Sequence, residues 1–410
     1  MEILVRRCCG LDVHKMVVMA CVRVIDENGE LIEQVREFGT CTGELLRLAD
    51  WLAQHRVSQV AMESTGVYWK PVWHVLAPGL KLLLVNAHHI KNVPGRKTDV
   101  KDCQWIAQLL QHGLLRASFV PETAQQEWRD LTRLRTQMVA RKAQTCNRIQ
   151  KVLEDANIKL ASVASDVLGV SGRDMIRALI AGVRDPKVLA SMARRRMKKK
   201  QAELEEALLG RVSEHHRFLL EVLMKELEGT EEAIGRLEKR LAEAMAPFAE
   251  EIRLLDTIPG VDVHVARVIL AEAGPDMSRF GSAGRLCSWA GMCPGNHESA
   301  GKRKSGRTNK GNHWLRSALV QAGWAASRTK QTYLASLYGR LVGRRGKKRA
   351  LIACGNSILN SVYYMLERKQ AYIDLGADHH ERTQGQRLAR NLVKRLEAQG
   401  YTVTLTKVAA

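Results

Sequence analysis

Long apolar runs are missing from this sequence. The most apolar stretches, such as Leu80 to Ala87, are far shorter than the roughly 20 residues that a membrane-spanning helix needs. No signal-peptide pattern opens the chain. We therefore expect a cytosolic protein.

Paired cysteines are missing as well. The nine cysteines are an odd number, and no two of them form a Cys-x-x-Cys pair. They are Cys8, Cys9, Cys21, Cys41, Cys103, Cys146, Cys287, Cys293 and Cys354. This pattern argues against both a disulfide framework and a structural zinc site.

Aromatic residues are scarce, and basic residues outnumber acidic ones. Phe, Trp and Tyr make up only 5% of the chain, and 64 Lys and Arg residues outnumber 43 Asp and Glu residues, which leaves a net charge of +21. Such an excess of positive charge indicates a polyanionic partner. Because aromatic residues are few, recognition of phosphates and of nucleic-acid shape is favoured over the stacking of bases on the protein.

With 410 residues, 45% of them apolar, the chain is long enough for two or three folded units. We predict an α/β domain over residues 1–118 and a long-helix, coiled-coil region over residues 119–247. A mainly α-helical domain follows over residues 248–372. The tail, residues 373–410, is expected to form an amphipathic helix around Leu388, Leu392 and Leu396 and a short β-like end.

The first domain begins with β-rich runs separated by turn signals. Runs at residues 3–12, 16–25 and 31–38 predict a three-strand meander. Predicted helices at 43–56, 68–76 and about 100–112 then alternate with strands at 59–62 and 81–85. Strands followed by alternating strands and helices are typical of a mixed sheet covered by helices.

Glycine and proline nearly vanish from residues 122–157 and 198–245, where apolar residues recur at threes and fours. These segments predict two long helices with coiled-coil character. A basic run precedes the second one: Arg194, Arg195, Arg196, Met197, Lys198, Lys199 and Lys200. Such a run is either a solvated face or a contact to phosphates.

Carboxylates interrupt two apolar strands at their ends. Asp12 ends the first strand and Glu63 ends the fourth, while Asp99 and Asp102 lie three residues apart at the start of a helix. Half-buried acids are costly unless a cation compensates them. Four converging carboxylates would suit magnesium, and two such ions support phosphoryl transfer.

The order of strand Asp, strand Glu and helix Asp is the one that an RNase H-like metal site requires. The alternative is structural: Asp99 as a helix N-cap and Asp102 as a partner of the helix dipole. His14, Lys15, His88 and His89 lie nearby in sequence, and we expect them to contact substrate or solvent rather than metal.

Two features of the third domain indicate contacts to phosphates. The stretch Ile258-Pro259-Gly260-Val261, before Asp262, has the layout of a helix-hairpin-helix, although a plain helical hairpin is also possible. Farther on, no Asp or Glu occurs between Ser299 and Arg349, and binding should be strongly salt-dependent. The basic loop in this span contains Lys302, Arg303, Lys304, Arg307 and Lys310. Arg316 follows shortly after the loop.

Ser299 and Ser305 lie among these cations. A serine hydroxyl attacks phosphorus only when a base or a metal activates it. Taken alone, an ordinary polar role in the loop is the simpler interpretation of both residues.

Together these motifs resemble the DEDD insertion-sequence transposases of the IS110 type, including the IS1111 branch. At the front the resemblance rests on Gly10-Leu11-Asp12-Val13-His14-Lys15, Glu63-Ser64-Thr65-Gly66 and Lys97-Thr98-Asp99-Val100-Lys101-Asp102. At the back it rests on Ile258-Pro259-Gly260-Val261, Trp289-Ala290-Gly291, Ser299-Ala300-Gly301-Lys302 and Asn309-Lys310-Gly311-Asn312-His313-Trp314-Leu315-Arg316. It covers nearly the whole chain.

The resemblance implies a RuvC-like first domain in which Asp12, Glu63, Asp99 and Asp102 bind magnesium. It also implies that Ser299 in the last domain attacks the phosphodiester and forms a covalent link. Ala300 stands where the family usually has a glycine, so Ser305 stays as a second candidate.

The partners implied by the resemblance are donor and target DNA and a structured bridge RNA that pairs with both. A dimer that pairs into a tetramer is expected, with the long helices joining protomers. Each active site would combine the carboxylates of one chain with the serine of another. The location implied is the bacterial cytoplasm, in association with the nucleoid.

Two other functions remain compatible with the residues. A RuvC-like junction or structure-selective nuclease would use the four carboxylates to activate water and would need no serine. A non-catalytic nucleic-acid-binding scaffold would use the acids only as helix caps and as partners of Lys97 and Lys101.

Overall fold

The chain folds into two compact units, Met1–Pro121 and Glu122–Ala410. The computed structural model describes residues 2–63, 66–86, 102–295, 297–299 and 302–404, with 297–299 and 302–305 described by their backbone. The predicted division into residues 1–118, 119–247, 248–372 and 373–410 stays a prediction.

The described residues of the first unit form a five-stranded mixed sheet and three helices. In chain order these are β1 (Arg7–Val13), β2 (Val17–Ile25), β3 (Leu31–Gly39), α1 (Thr42–Gln54), β4 (Gln59–Glu63), α2 (Trp69–Leu76), β5 (Lys81–Val85) and α3 (Asp102–Gln111). The strand order is β3-β2-β1-β4-β5. Strands β1, β2 and β3 pair antiparallel, and β4 pairs in parallel with both β1 and β5.

The predicted mixed sheet is confirmed, although its first strand starts later than expected, at Arg7 rather than Ile3. The residues before Arg7 instead turn toward the end of α3, where the Leu4 and Val5 amides both donate to the carbonyl of Gln111. Apolar character alone does not distinguish such a docked segment from a strand.

Helices cover both faces of this sheet. Cys9, Leu11 and Val13 point to one face and pack in a core with residues of α1 and α2. Cys8 and Gly10 point to the opposite face, where α3 lies directly on the strand. A side chain at Gly10 would collide with the backbone of α3, so glycine is what permits this close approach.

The second unit is mainly helical. Its first part contains α4 (Thr123–Asp155), α5 (Leu160–Val163), α6 (Val170–Ile180), α7 (Pro186–Ser191), α8 (Gln201–Ala207) and α9 (Glu214–Ala244). Its second part contains α10 (Ala249–Asp256), α11 (Val263–Ala273), α12 (Ala283–Trp289), β6 (His297–Ser299), β7 (Lys302–Ser305), α13 (His313–Ala326), α14 (Tyr333–Arg345), α15 (Lys347–Arg368) and α16 (His379–Glu397). One buried apolar cluster lies within the first part. A second cluster consists mainly of residues of the second part, together with Trp128 of α4 and Leu241 of α9.

The two long helices, α4 and α9, pair with each other in antiparallel orientation. Arg135 near the start of α4 binds Glu238 near the end of α9 at 2.7 Å, and Arg141 binds Glu226 at 3.0 Å. Both helices thus use part of their surface within one chain. That the long helices also join protomers stays a prediction.

The prediction of one continuous helix over residues 198–245 is wrong. A 3₁₀ turn (Arg195–Lys200) and the short helix α8 precede a break, and α9 begins only at Glu214. Ser213 starts α9 with a capping box: its hydroxyl accepts the amide of His216, and the His216 ring accepts the amide of Ser213. A serine followed three residues later by histidine is a weaker signal than the usual Ser-x-x-Glu, so the cap was missed.

The C-terminal helix is confirmed as α16, but residues 401–404 form no strand. No helix within the described ranges is both long enough and apolar enough to cross a membrane.

Gly10→Ala should destabilise the first unit by about 1 to 3 kcal/mol, because the added methyl group must push α3 away from β1. Denaturant unfolding monitored by circular dichroism measures this free energy. Gly43→Ala is the matched control, since Gly43 lies in α1 with open space around it. Equal stability of Gly10→Ala and wild-type protein would mean that α3 does not rest on Gly10.

Candidate active site

Two of the predicted metal ligands lie on the same face of the sheet. Asp12 belongs to β1 and Glu63 ends β4, and these two strands run parallel. Because side chains alternate along a strand, Asp12 follows Gly10 on the face that α3 covers, and Glu63 follows Ala61, which packs against α3. Both carboxylates therefore lie at the carboxyl ends of neighbouring parallel strands.

A third predicted ligand, Asp102, lies in the first turn of α3. That turn rests on β1, because a methyl group on Gly10 would meet the carbonyl oxygen of Cys103. The pKa of the Cys103 thiol is raised to about 11, mainly by burial and to a smaller extent by the negative charges of Asp12 and Asp102. Both carboxylates are thus close enough to act on one thiol.

The fourth predicted ligand, Asp99, lies outside the described residues, as do His88 and His89. Within the residues that are described, no three His, Cys, Asp or Glu side chains form a group able to hold a metal ion. Asp12 is mostly buried and contacts the exposed His14 ring, whose Nε2 lies 3.1 Å from Asp12 Oδ2. The donor set on the α3 face is nevertheless oxygen-rich, which fits the preference of magnesium.

The predicted serine, Ser299, is placed at the tip of a two-stranded hairpin. Strands β6 and β7 pair antiparallel, with His297 opposite Ser305 and Ser299 opposite Lys302. Ser299 is therefore the last paired residue before the turn, whereas Ser305 lies at the other end of the hairpin. The two candidate serines of the sequence occupy different positions: one at the tip and one toward the base.

The base of this hairpin is closed by backbone contacts. Pro294 and Thr308 form a bridge, and the Gly295 amide donates to the carbonyl of Arg307 at 2.7 Å. Gly291 and Gly311 then touch each other, because a Cβ on Gly291 would lie 3.0 Å from the Gly311 amide nitrogen. The chain therefore leaves the helical core at Gly291 and returns to it at Gly311, and these two points are adjacent.

The predicted nucleic-acid contacts occupy two separate parts of the second unit. Lys302, Arg303 and Lys304 lie in β7, Arg307 and Lys310 follow in the loop, and Arg316 lies in the first turn of α13. The second group lies at the exposed 3₁₀ turn after α7 and consists of Arg194, Arg195, Arg196 and Lys198. In that group Arg194 binds Asp174 at 2.6 Å.

The predicted helix-hairpin-helix is present as the helices α10 and α11, but Asp262 changes its chemistry. The carboxylate of Asp262 caps α11 by accepting the amide of Val265 at 2.7 Å. A helix N-terminus attracts anions through such free amides, so a carboxylate already there opposes phosphate binding. The interpretation as a plain helical hairpin is favoured at this position.

Sequence reasoning missed a buried carboxylate that contacts the end of the loop after the β6–β7 hairpin. Glu272 is fully buried in α11, and it contacts Arg129 and Arg133 of α4 and Asn312, which precedes α13. Its only sequence signal is an acid inside the apolar run Val268-Ile269-Leu270-Ala271-Glu272-Ala273.

Asp262→Ala should lower the free energy of unfolding by about 1 kcal/mol, because the amide of Val265 loses its side-chain acceptor. Thermal and chemical unfolding of the whole chain measure the loss. Asp262→Asn is the matched control, since asparagine caps helices as well as aspartate does. A loss of equal size in both variants would show that the cap is not what Asp262 contributes.

Comparison with known proteins identifies the family. A DEDD transposase family model, described as a transposase, matches residues 9–158, and a model of the transposase IS116/IS110/IS902 family matches residues 252–339. The first match contains all four predicted carboxylates, and the second contains the hairpin with Ser299.

Two curated proteins are similar over almost their whole length. The transposase for insertion sequence element IS1111A of Coxiella burnetii is 26% identical over 370 residues, which are 88% of this chain and 90% of the relative. A probable family 20 transposase of Pseudomonas aeruginosa is 25% identical over 372 residues, 88% of this chain and 97% of the relative. From the two family matches and the mixed sheet with its long helices, we conclude that the chain belongs to the IS110-type insertion-sequence transposases, enzymes that act on DNA.

Proposed function

We propose that this transposase cuts and rejoins DNA strands through a covalent bond between Ser299 and a backbone phosphate. Asp12, Glu63, Asp99 and Asp102 would hold magnesium beside that phosphate. The observation that carries the proposal is the arrangement of Asp12, Glu63 and Asp102 on one side of a RuvC-like sheet, where strand ends and a helix start meet.

The serine chemistry conserves the number of phosphoester bonds. The Ser299 oxygen attacks phosphorus and gives up its proton, and the bond from phosphorus to one deoxyribose oxygen breaks as that oxygen gains a proton. A hydroxyl of another DNA strand then attacks the same phosphorus and releases serine. Magnesium, when bound by the carboxylates, supplies a Lewis acid for the phosphate oxygens. Ser299 lies at the tip of the hairpin, and this position supports Ser299 rather than Ser305 as the residue that attacks phosphorus.

The partners proposed are donor DNA, target DNA and a structured bridge RNA. The support is the net charge of +21, the absence of acids between Ser299 and Arg349 and the scarcity of aromatics. Homo-oligomers, a dimer that pairs into a tetramer, would bring the carboxylates of one chain to the serine of another. The reaction would take place in the bacterial cytoplasm, at the nucleoid.

Ser299→Ala should abolish the covalent protein–DNA link and strand exchange, because no other group replaces the attacking oxygen. Denaturing gel electrophoresis of labelled element ends, incubated with the non-coding RNA and a target, measures the link. Ser305→Ala is the matched control and should form the link. Cleavage by the Ser299→Ala protein at the wild-type rate would instead identify a nuclease that uses water.

Magnesium should raise the thermal unfolding temperature of the wild-type protein, because a bound cation relieves the repulsion between clustered carboxylates. Asp12→Asn should lose most of this rise, whereas Asp50→Asn, at an exposed position of α1, should keep it. Differential scanning fluorimetry with and without magnesium measures both. Identical magnesium responses of the two variants would favour the scaffold without catalysis.

A further inference from the structure

Glu272 has an unusual position for an acid. It lies in the apolar helix α11, and none of its side chain is exposed. A buried carboxylate is stable only when cations and hydrogen-bond donors surround it. The partners of Glu272 therefore indicate what the residue holds in place.

Two arginines of α4 supply the positive charge. Arg133 binds both oxygens of the carboxylate, with its Nε 2.8 Å from Oε1 and a terminal nitrogen 2.9 Å from Oε2. Arg129 lies 3.3 Å from Oε2 and donates to the carbonyls of Ala271 and Glu272. These contacts fix the carboxylate on the helical core.

The remaining donor comes from the loop that carries Ser299. The side-chain nitrogen of Asn312 lies 2.6 Å from Oε2 of Glu272. The side-chain oxygen of Asn312 meanwhile accepts the amides of Trp314 and Leu315, each at 3.1 Å, and so caps α13. One side chain thus ties the start of α13 to the buried carboxylate.

Asn312 follows Gly311, which touches Gly291 at the base of the hairpin. The point at which the hairpin returns to the core is therefore fixed by Glu272 through Asn312. A hydrogen bond to a charged group is stronger than one between neutral groups, so this contact favours one position of the loop. Ser299 lies at the far end of the same hairpin, so any tilt of the base displaces it most.

We propose that Glu272 is a positioning residue for Ser299 and acts through Asn312. The inference rests on the proposed function, because it supposes that Ser299 attacks DNA. Glu272 touches no substrate. It holds the base of the hairpin so that the serine at the tip is oriented before DNA arrives.

Asn312→Ser tests this directly. Serine keeps an oxygen that caps α13, but it has no amide nitrogen to reach Glu272. Glu272→Gln is the second variant. The matched control is Glu231→Gln, which disrupts another two-pronged pair, with Arg173 at 2.7 and 2.8 Å, in the helical region around α6 and α9.

The single-turnover rate of Ser299–DNA link formation should fall about 10- to 100-fold in Asn312→Ser and Glu272→Gln, with unchanged DNA affinity, since the serine is misplaced rather than removed. Amide hydrogen exchange across residues 294–308 should accelerate in both variants, and the unfolding temperature of Asn312→Ser should fall slightly, because buried Glu272 loses one hydrogen-bond donor. Glu231→Gln should leave the rate and the exchange unchanged.

A wild-type link rate and unchanged hairpin exchange in Asn312→Ser would overturn the proposal, as would an equal slowing in Glu231→Gln. If Glu272→Gln fails to fold, the link rate and hydrogen exchange of Asn312→Ser alone test the proposal. Link formation by Ser299→Ala would refute the nucleophile instead, and hydrogen exchange would then still report whether Glu272 fixes the hairpin.

Discussion

The packing of α3 on Gly10 is the contact on which the proposed metal site depends. Because residue 10 has no side chain, the first turn of α3 lies against β1 and brings Asp102 to the face that holds Asp12. Parallel pairing of β1 and β4 adds Glu63 at the neighbouring strand end. The carboxylates repel one another, which lowers the stability of this arrangement. A bound cation would stabilise it.

In the second unit, by contrast, a carboxylate is compensated by cationic side chains of the protein itself. Here a single carboxylate, Glu272, is buried among donors, and the pair of arginines from α4 compensates its charge. We propose that these contacts, through Asn312, also hold the base of the basic hairpin in position. In a chain with a net charge of +21, one acidic residue is thus buried in the core beside two arginines, and others lie at strand ends, where we propose that they hold metal.

Periodic features were predictable from sequence, and features that depend on single contacts were not. Alternating β-branched runs located the strands of the mixed sheet, and apolar residues at threes and fours located α4 and α16. The break before α9 was missed because it depends on the cap formed by Ser213 and His216. The cap formed by Asp262 and the partners of Glu272 arise from tertiary packing, which no local pattern encodes. The four carboxylates and Ser299 were named from motifs, and their roles remain predictions.

The central claim is that the carboxylates and Ser299 act on one phosphate, and a sulfur substitution at that phosphate tests it most directly. DNA with a single non-bridging phosphorothioate at the cleaved position would be assayed for the Ser299 link in magnesium and in manganese. The account predicts slow linkage in magnesium and recovery in manganese, because sulfur binds magnesium poorly and the softer ion better. Equal linkage in both metals, or linkage in the presence of EDTA, would contradict it.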